Sequence, residues 1–191
     1  LTGWQLTKAL ESWAWDGCNG EPAKVEVYAR AAQVELFING KSVGKKKVKK
    51  CRANFNTTYQ DGEITAVSYD ENGREINRYS LQTAGKETVL QVRPEEKTVK
   101  PEGLAFIQLQ YTDSKGIWKP MEKHNIKVTV ENGVLKGLGS PAPYVKGNYT
   151  DHTVATYYGE AMAVVQADGN GPVKVTLADE ERFYVAEIPC E

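Results

Sequence analysis

Apolar and polar residues alternate with a period of two through most of this chain, and that restricts it to strands with one buried face. Val25 and Val27, then Val34, Leu36 and Ile38, alternate with Glu26, Glu35 and Asn39. A hairpin turn follows at Asn39-Gly40, residues that tolerate the positive φ of a tight turn, and Asp61-Gly62 and Asn72-Gly73 read the same way. Around those turns, residues 52–59, 64–70 and 74–81 are short and rich in Thr, Val, Ile and Tyr, which predicts a meander. The pattern breaks at Thr83-Ala84-Gly85-Lys86, which places a domain boundary near Gly85 and gives domains 1–86 and 87–191.

The second series opens with residues 89–93 and continues with Ala105, Ile107, Leu109 and Tyr111 on one parity of a long strand. Asp113-Ser114-Lys115-Gly116 is a turn, and Pro120 marks a loop or a sheet edge because it cannot donate to a ladder. Ile126, Val128 and Val130, residues 162–167, Val173, Val175 and Leu177, and residues 184–188 complete the set. Gly137-Leu138-Gly139-Ser140-Pro141 reads as a backbone turn, since Ala142-Pro143-Tyr144 cannot open the helix that a phosphate loop requires. Turn signals at strand-length intervals, with no sustained helical period, predict an all-β chain with an antiparallel β-sandwich in each half. Leu6, Ala9, Leu10 and Trp13 alone fit a helical face.

At 191 residues and 40% hydrophobic content, two small cores are affordable. Leu1 in place of Met leads us to expect a piece of a longer protein. No signal peptide opens the chain, and the longest apolar run, residues 161–165, is far below the ~20 residues of a membrane span, so no membrane partner is expected. The 24 basic and 25 acidic residues nearly cancel. The one local excess is Lys41, Lys45, Lys46, Lys47, Lys49, Lys50 and Arg52. It lacks the interleaved aromatics that stack bases, and it reads as a solubilised sheet edge rather than a nucleic-acid groove. Cys18, Cys51 and Cys190 are odd in number and widely spaced, which fits neither a zinc site nor a complete disulfide framework and leans toward a reducing compartment.

The search for chemistry yields no catalytic residue, no metal ligand and no cofactor motif. His124 and His152 read as surface residues, and no nucleophile elbow accompanies them. Glu95-Glu96, Glu102 and Asp179-Glu180-Glu181 fall in expected turns, where solvated charge is the ordinary state. The aromatics remain, because sugar rings stack on exposed indoles. Trp118 follows a turn between Ile117 and Lys119, reads as exposed, and is the leading candidate for ligand stacking. Trp13 and Trp15 stand behind it, since two residues apart they would share one strand face and favour burial.

Val25-Glu26-Val27-Tyr28, followed by residues 34–44 (VELFINGKSVG), resembles the domain that follows the catalytic barrel in bacterial glycoside hydrolase family 2 enzymes of the β-galactosidase type. Ser12-Trp13-Ala14-Trp15-Asp16-Gly17 is similar to that family's His-Trp-Asn-Trp-Pro-Gly segment, keeping both tryptophans while Ser12, Ala14 and Asp16 depart from it. Residues 113–120, 128–133, 137–141 and 158–165 resemble, in the same order, the immunoglobulin-like domain that comes next in those enzymes.

The resemblance implies two consecutive immunoglobulin-like β-sandwiches from a retaining glycosidase whose catalytic glutamates lie elsewhere, on a (β/α)₈ barrel. The expected partners are that barrel, a second copy of the chain and a galactoside ligand. A bacterial, cytoplasmic setting is favoured. Two other functions fit sandwiches of this kind: a carbohydrate-binding module using exposed aromatics, and a fragment of a bacterial surface adhesin.

Overall fold

In the first of two units, Leu1–Thr83, the even-numbered residues of Gln33–Ile38 point into a core, and everything else is arranged to cover them. The computed structural model describes residues 9–144 and 147–191. Six strands make this unit: β1 (Pro22–Tyr28), β2 (Gln33–Ile38), β3 (Lys41–Lys47), β4 (Arg52–Thr58), β5 (Glu63–Tyr69) and β6 (Glu75–Gln82). β3-β2-β5-β6 form a four-stranded antiparallel sheet, and β1-β4 form a separate two-stranded one. Val34, Leu36 and Ile38 from the larger sheet meet Ala53 and Phe55 from the smaller, with Trp13 and Tyr59 packed beside them.

The predicted meander is corrected at its first strand. β4 pairs with β1, not with β5, so the chain changes sheets between Thr58 and Glu63. Asp61-Gly62 is therefore a crossover between layers rather than a hairpin. Asn39 fixes it: its side-chain amide donates to Asp61 O (2.9 Å) and its Oδ1 accepts from Glu63 N (2.8 Å). Gly62 has a φ of 121°, and a side chain there would run into Asn39. The β2–β3 hairpin forms at Asn39-Gly40 and the β5–β6 hairpin around Asn72-Gly73, as expected. Of the helical match, Leu6 lies outside the described residues, and Ala9, Leu10 and Trp13 are not helical.

The second unit, Ala84–Glu191, holds eight strands: β7 (Val89–Pro94), β8 (Leu104–Thr112), β9 (Asn125–Glu131), β10 (Gly133–Gly139), β11 (Thr153–Ala155), β12 (Glu160–Ala167), β13 (Val173–Ala178) and β14 (Phe183–Ile188). Two four-stranded antiparallel sheets, β10-β12-β8-β7 and β11-β9-β13-β14, face each other. The core is built from one parity of each strand: Ile107, Leu109 and Tyr111 from β8, Ile126 and Val128 from β9, Val173, Val175 and Leu177 from β13. Each such side chain contributes roughly 1.5–3 kcal/mol by leaving water.

The Gly137-Leu138-Gly139 turn is also corrected, because these residues lie within β10. Leu138 is buried, Gly139 pairs with Met162, and the Tyr149 ring lies against the face that a side chain at Gly139 would fill. Gly139 makes room there for an aromatic ring against a strand. Among the described residues there is no helix.

Candidate functional site

Trp13 and Trp15 sit in an irregular segment, not on one strand face as their spacing suggested. Trp13 is buried: its Nε1 donates to Gln60 O (3.0 Å) and its ring lies 4.8 Å from that of Tyr59. The Tyr59 hydroxyl is the hub of this segment. It lies within hydrogen-bonding distance of Trp13 O (3.3 Å) and Thr83 Oγ1 (3.1 Å), and it accepts from Trp15 N (3.2 Å). Burial, more than any neighbouring group, pushes the Tyr59 phenol above the usual tyrosine range.

Trp15 is half-buried and lines a groove of about 820 Å³. Val25, Val27, Leu36, Ile64 and Leu81 share that lining, and the exposed rings of Tyr28 and Tyr79 border it. The groove exists because a two-stranded layer cannot cover a four-stranded one. Among the described residues, part of the sheet on the β6 side lies open and residues 9–15 fill it only partly, with Tyr79 Oη donating to Glu11 Oε1 (2.6 Å).

Trp118 belongs to the second unit. Where exposure was expected it is half-buried, with its Nε1 donating to Tyr158 O (2.8 Å). It has aromatic neighbours that spacing could not show. Tyr157 and Tyr158 stack edge to face at 4.4 Å, and Tyr158 is exposed. The three tryptophans thus belong to two different surroundings, the groove of one unit and a loop corner of the other.

The basic stretch lies along β3, an edge strand, and the loop after it. Lys45 Nζ lies 3.5 Å from the Tyr69 ring centroid, Lys46 Nζ donates to Asn54 O (2.6 Å), and Arg52 pairs with Glu26. Cys18, Cys51 and Cys190 are all free thiols. Among the described residues, no group of three or more His, Cys, Asp or Glu side chains could hold a metal.

Two groups read as solvated are not. His124 is half-buried, with Nε2 2.8 Å from Glu122, Nδ1 3.4 Å from Glu180, and its ring 4.5 Å from that of Tyr111. Asp179 is buried: it accepts from Tyr111 Oη (2.7 Å) and from the backbone N–H groups of Glu181 and Arg182, and it pairs with Arg182 (3.5 Å). Burial opposes its charge, but those donors hold its carboxyl below the usual aspartate range. Tyr111 is pushed the other way, first by burial and then by Asp179. The signal that could have found this pair is parity, since Tyr111 continues the buried face of Ile107 and Leu109 and its hydroxyl needs an internal partner.

Glu122 completes the polar cluster. Lys119 Nζ reaches Glu122 Oε1 (3.0 Å), Thr88 Oγ1 (2.6 Å) and the carbonyls of Lys86 and Glu87 (3.3 Å each), while Thr88 Oγ1 donates to Glu122 (2.7 Å). Burial opposes the Glu122 charge, yet Thr88, His124 and Lys119 bring its carboxyl down to about 2 from the ordinary 4.5. A depressed carboxyl stabilises the fold above its unfolded value and loses that contribution as pH falls. Glu122→Gln should therefore cost about 1 kcal/mol at neutral pH, after allowance for solvent screening. The deficit should close between about pH 4.5 and about 2. Urea titrations at stepped pH measure it, and a deficit independent of pH would refute the assignment.

Both units are antiparallel β-sandwiches, and comparison with known proteins shows what each resembles. Residues 20–77 match the family described as domain of unknown function (DUF4982), and residues 90–183 match glycoside hydrolase family 2 C-terminal domain 5. The second unit thus matches a C-terminal domain of glycoside hydrolase family 2. It is similar to the β-galactosidase BoGH2A of Bacteroides ovatus, 28% identical over 171 residues that make up 86% of this chain and 20% of that protein. A solved glycosyl hydrolase family 2 member from Bacteroides cellulosilyticus aligns with a TM-score of 0.87 at 26% identity, over 95% of this chain and 24% of its own. A β-glycosidase from Bacteroides vulgatus shares the fold, with a TM-score of 0.80 at 22% identity. The chain thus spans about a fifth to a quarter of the length of these relatives.

Proposed function

We propose that this chain is the non-catalytic C-terminal region of a retaining glycoside hydrolase of the β-galactosidase type. It supports the catalytic barrel, its assembly or the rim of its sugar site. The observation that carries the reading is the alignment along 86% of the chain with one fifth of a family 2 β-galactosidase. The state of the acidic groups supports it. A glycosidase needs two carboxyl groups about 5–9 Å apart facing the bond to be cut. Here the enclosed carboxylates are committed inward, Glu122 to Lys119, Thr88 and His124, and Asp179 to Tyr111 and Arg182. The open groove beside Trp15 gives the first unit an apolar face to set against a neighbouring domain.

The test has two parts. The 191-residue chain should release no aryl alcohol from an aryl β-galactoside. Removing this segment from a parent enzyme that carries it should lower the soluble yield or kcat/KM by about tenfold or more. Turnover by the isolated chain, or a parent indifferent to the deletion in yield, assembly and kinetics, would overturn the reading.

A further inference from the structure

Tyr158 adopts the left-handed backbone region, with a φ of 52°, and is followed by Gly159 at 71°. Asparagine or glycine is the ordinary occupant of such a turn, and a bulky ring there carries strain that its surroundings must hold. The surroundings do hold it. Trp118 Nε1 donates to Tyr158 O (2.8 Å), Tyr111 N donates to Gly159 O (2.8 Å), and Tyr157 and Glu160 exchange backbone hydrogen bonds of 3.1 Å. A side chain at Gly159 would lie 2.6 Å from Lys119 O, so the turn and the Trp118-Lys119 segment touch backbone to backbone. The result is a rigid corner carrying three aromatic rings: Tyr158 exposed, Trp118 and Tyr157 half-buried, and the two tyrosine rings 4.4 Å apart at 61°.

We propose that this corner is a sugar-binding subsite, at which Tyr158 and Trp118 stack on the apolar face of a pyranose ring. The chemistry selects a sugar over a purely apolar ligand. Flat rings match the C–H face of a pyranose, and the tyrosine hydroxyls offer donors and acceptors to its hydroxyl groups. Glu160 adds a carboxylate beside the turn, with one oxygen accepting from Gln110 Nε2 (2.8 Å). Its other oxygen has no partner among the described residues, leaving it able to accept from a sugar hydroxyl. The strain at Tyr158 is the second, independent sign, because a turn built for stability alone would carry asparagine. This subsite goes beyond the supporting role proposed above and does not depend on it.

The test is titration of the 191-residue chain with lactose, a β-1,4-galacto-oligosaccharide and a cello-oligosaccharide, followed by calorimetry and tryptophan fluorescence. At least one of the three should bind saturably, in the millimolar range. Tyr158→Asn should weaken that binding about tenfold while raising Tm, because asparagine relaxes the turn as it removes the ring. Trp118→Phe, which keeps a ring but loses the N–H anchor, should weaken it by a smaller factor. Absence of saturation with all three sugars, or affinity unchanged in Tyr158→Asn, would overturn the proposal.

Discussion

Trp13→Ala is expected to destabilise the first unit by about 3–5 kcal/mol, the range for truncating a buried large aromatic. The ring is 4% exposed and packs into the core built by Val34, Leu36, Ile38 and Phe55. Its loss removes more than packing. The ring contact with Tyr59 goes, and Gln60 O loses the indole N–H just beyond the end of β4. Tyr59 in turn accepts from Trp15 N and borders Thr83, whose hydroxyl donates to Trp13 O and accepts from Gly62 N. One substitution therefore loosens the segment before β1, the crossover after β4 and the end of β6 together. Denaturant titration followed by near-ultraviolet circular dichroism measures the effect. Trp15→Ala, at a half-buried position, is the internal comparison and should cost about a third as much. Equal losses for the two would show that Trp13 is not the anchor of this core.

Asp113→Ala is expected to cost the second unit about 2–3 kcal/mol, because it takes the acceptor from three part-buried backbone N–H groups at once. Asp113 is 2% exposed; its Oδ2 accepts from Gly85 N, and its Oδ1 accepts from Lys115 N and Ile117 N, each at 2.8 Å. Burial opposes the charge, and the three backbone donors overcome it, so the carboxyl titrates below the ordinary aspartate range. Asp113→Asn separates charge from geometry. Its amide oxygen can keep the bonds to Lys115 and Ile117, while its NH₂ meets the Gly85 N–H donor to donor, so a loss of about 1–2 kcal/mol is expected. A depressed carboxyl contributes stability above its unfolded value, so the gap between wild type and Asp113→Asn should narrow as pH falls below the aspartate range. Urea midpoints for the three proteins at neutral and acid pH check both statements; Ala and Asn variants of equal stability would contradict them.

The parity of Val34, Leu36 and Ile38, and of Ile107, Leu109 and Tyr111, was legible because a strand sends successive side chains to opposite faces, and these faces are buried as written. The hairpin at Asn39-Gly40 was legible for the same local reason. The partner of β4 was not. Asp61-Gly62 carries the composition of a hairpin turn, and only Asn39, 22 residues away in sequence, makes it a crossover. The glycines of β10 misled because a glycine that makes room for a distant ring, as Gly139 does for Tyr149, looks in sequence like one that makes a turn.

The candidate site divides along the same line. That Trp118 follows a turn and has a polar edge to satisfy is written in its neighbours. That its partner is the carbonyl of Tyr158, 40 positions later, and that Tyr157 and Tyr158 complete an aromatic corner, required the fold. Asp179 and His124 looked solvated because their neighbours in sequence are polar; they are enclosed because Tyr111 reaches both from a distant strand and Glu180 reaches His124, while Glu122 and Arg182 close in from the same loops. The sequence by itself determined the all-β character, the buried parity of most strands and the local turns, since each depends on residues a few positions apart. Strand pairing across layers, the open groove beside Trp15 and the charge states of enclosed carboxylates were decided only by tertiary structure. Each of these is set by which distant groups come within a few ångströms, and local periodicity carries no record of that.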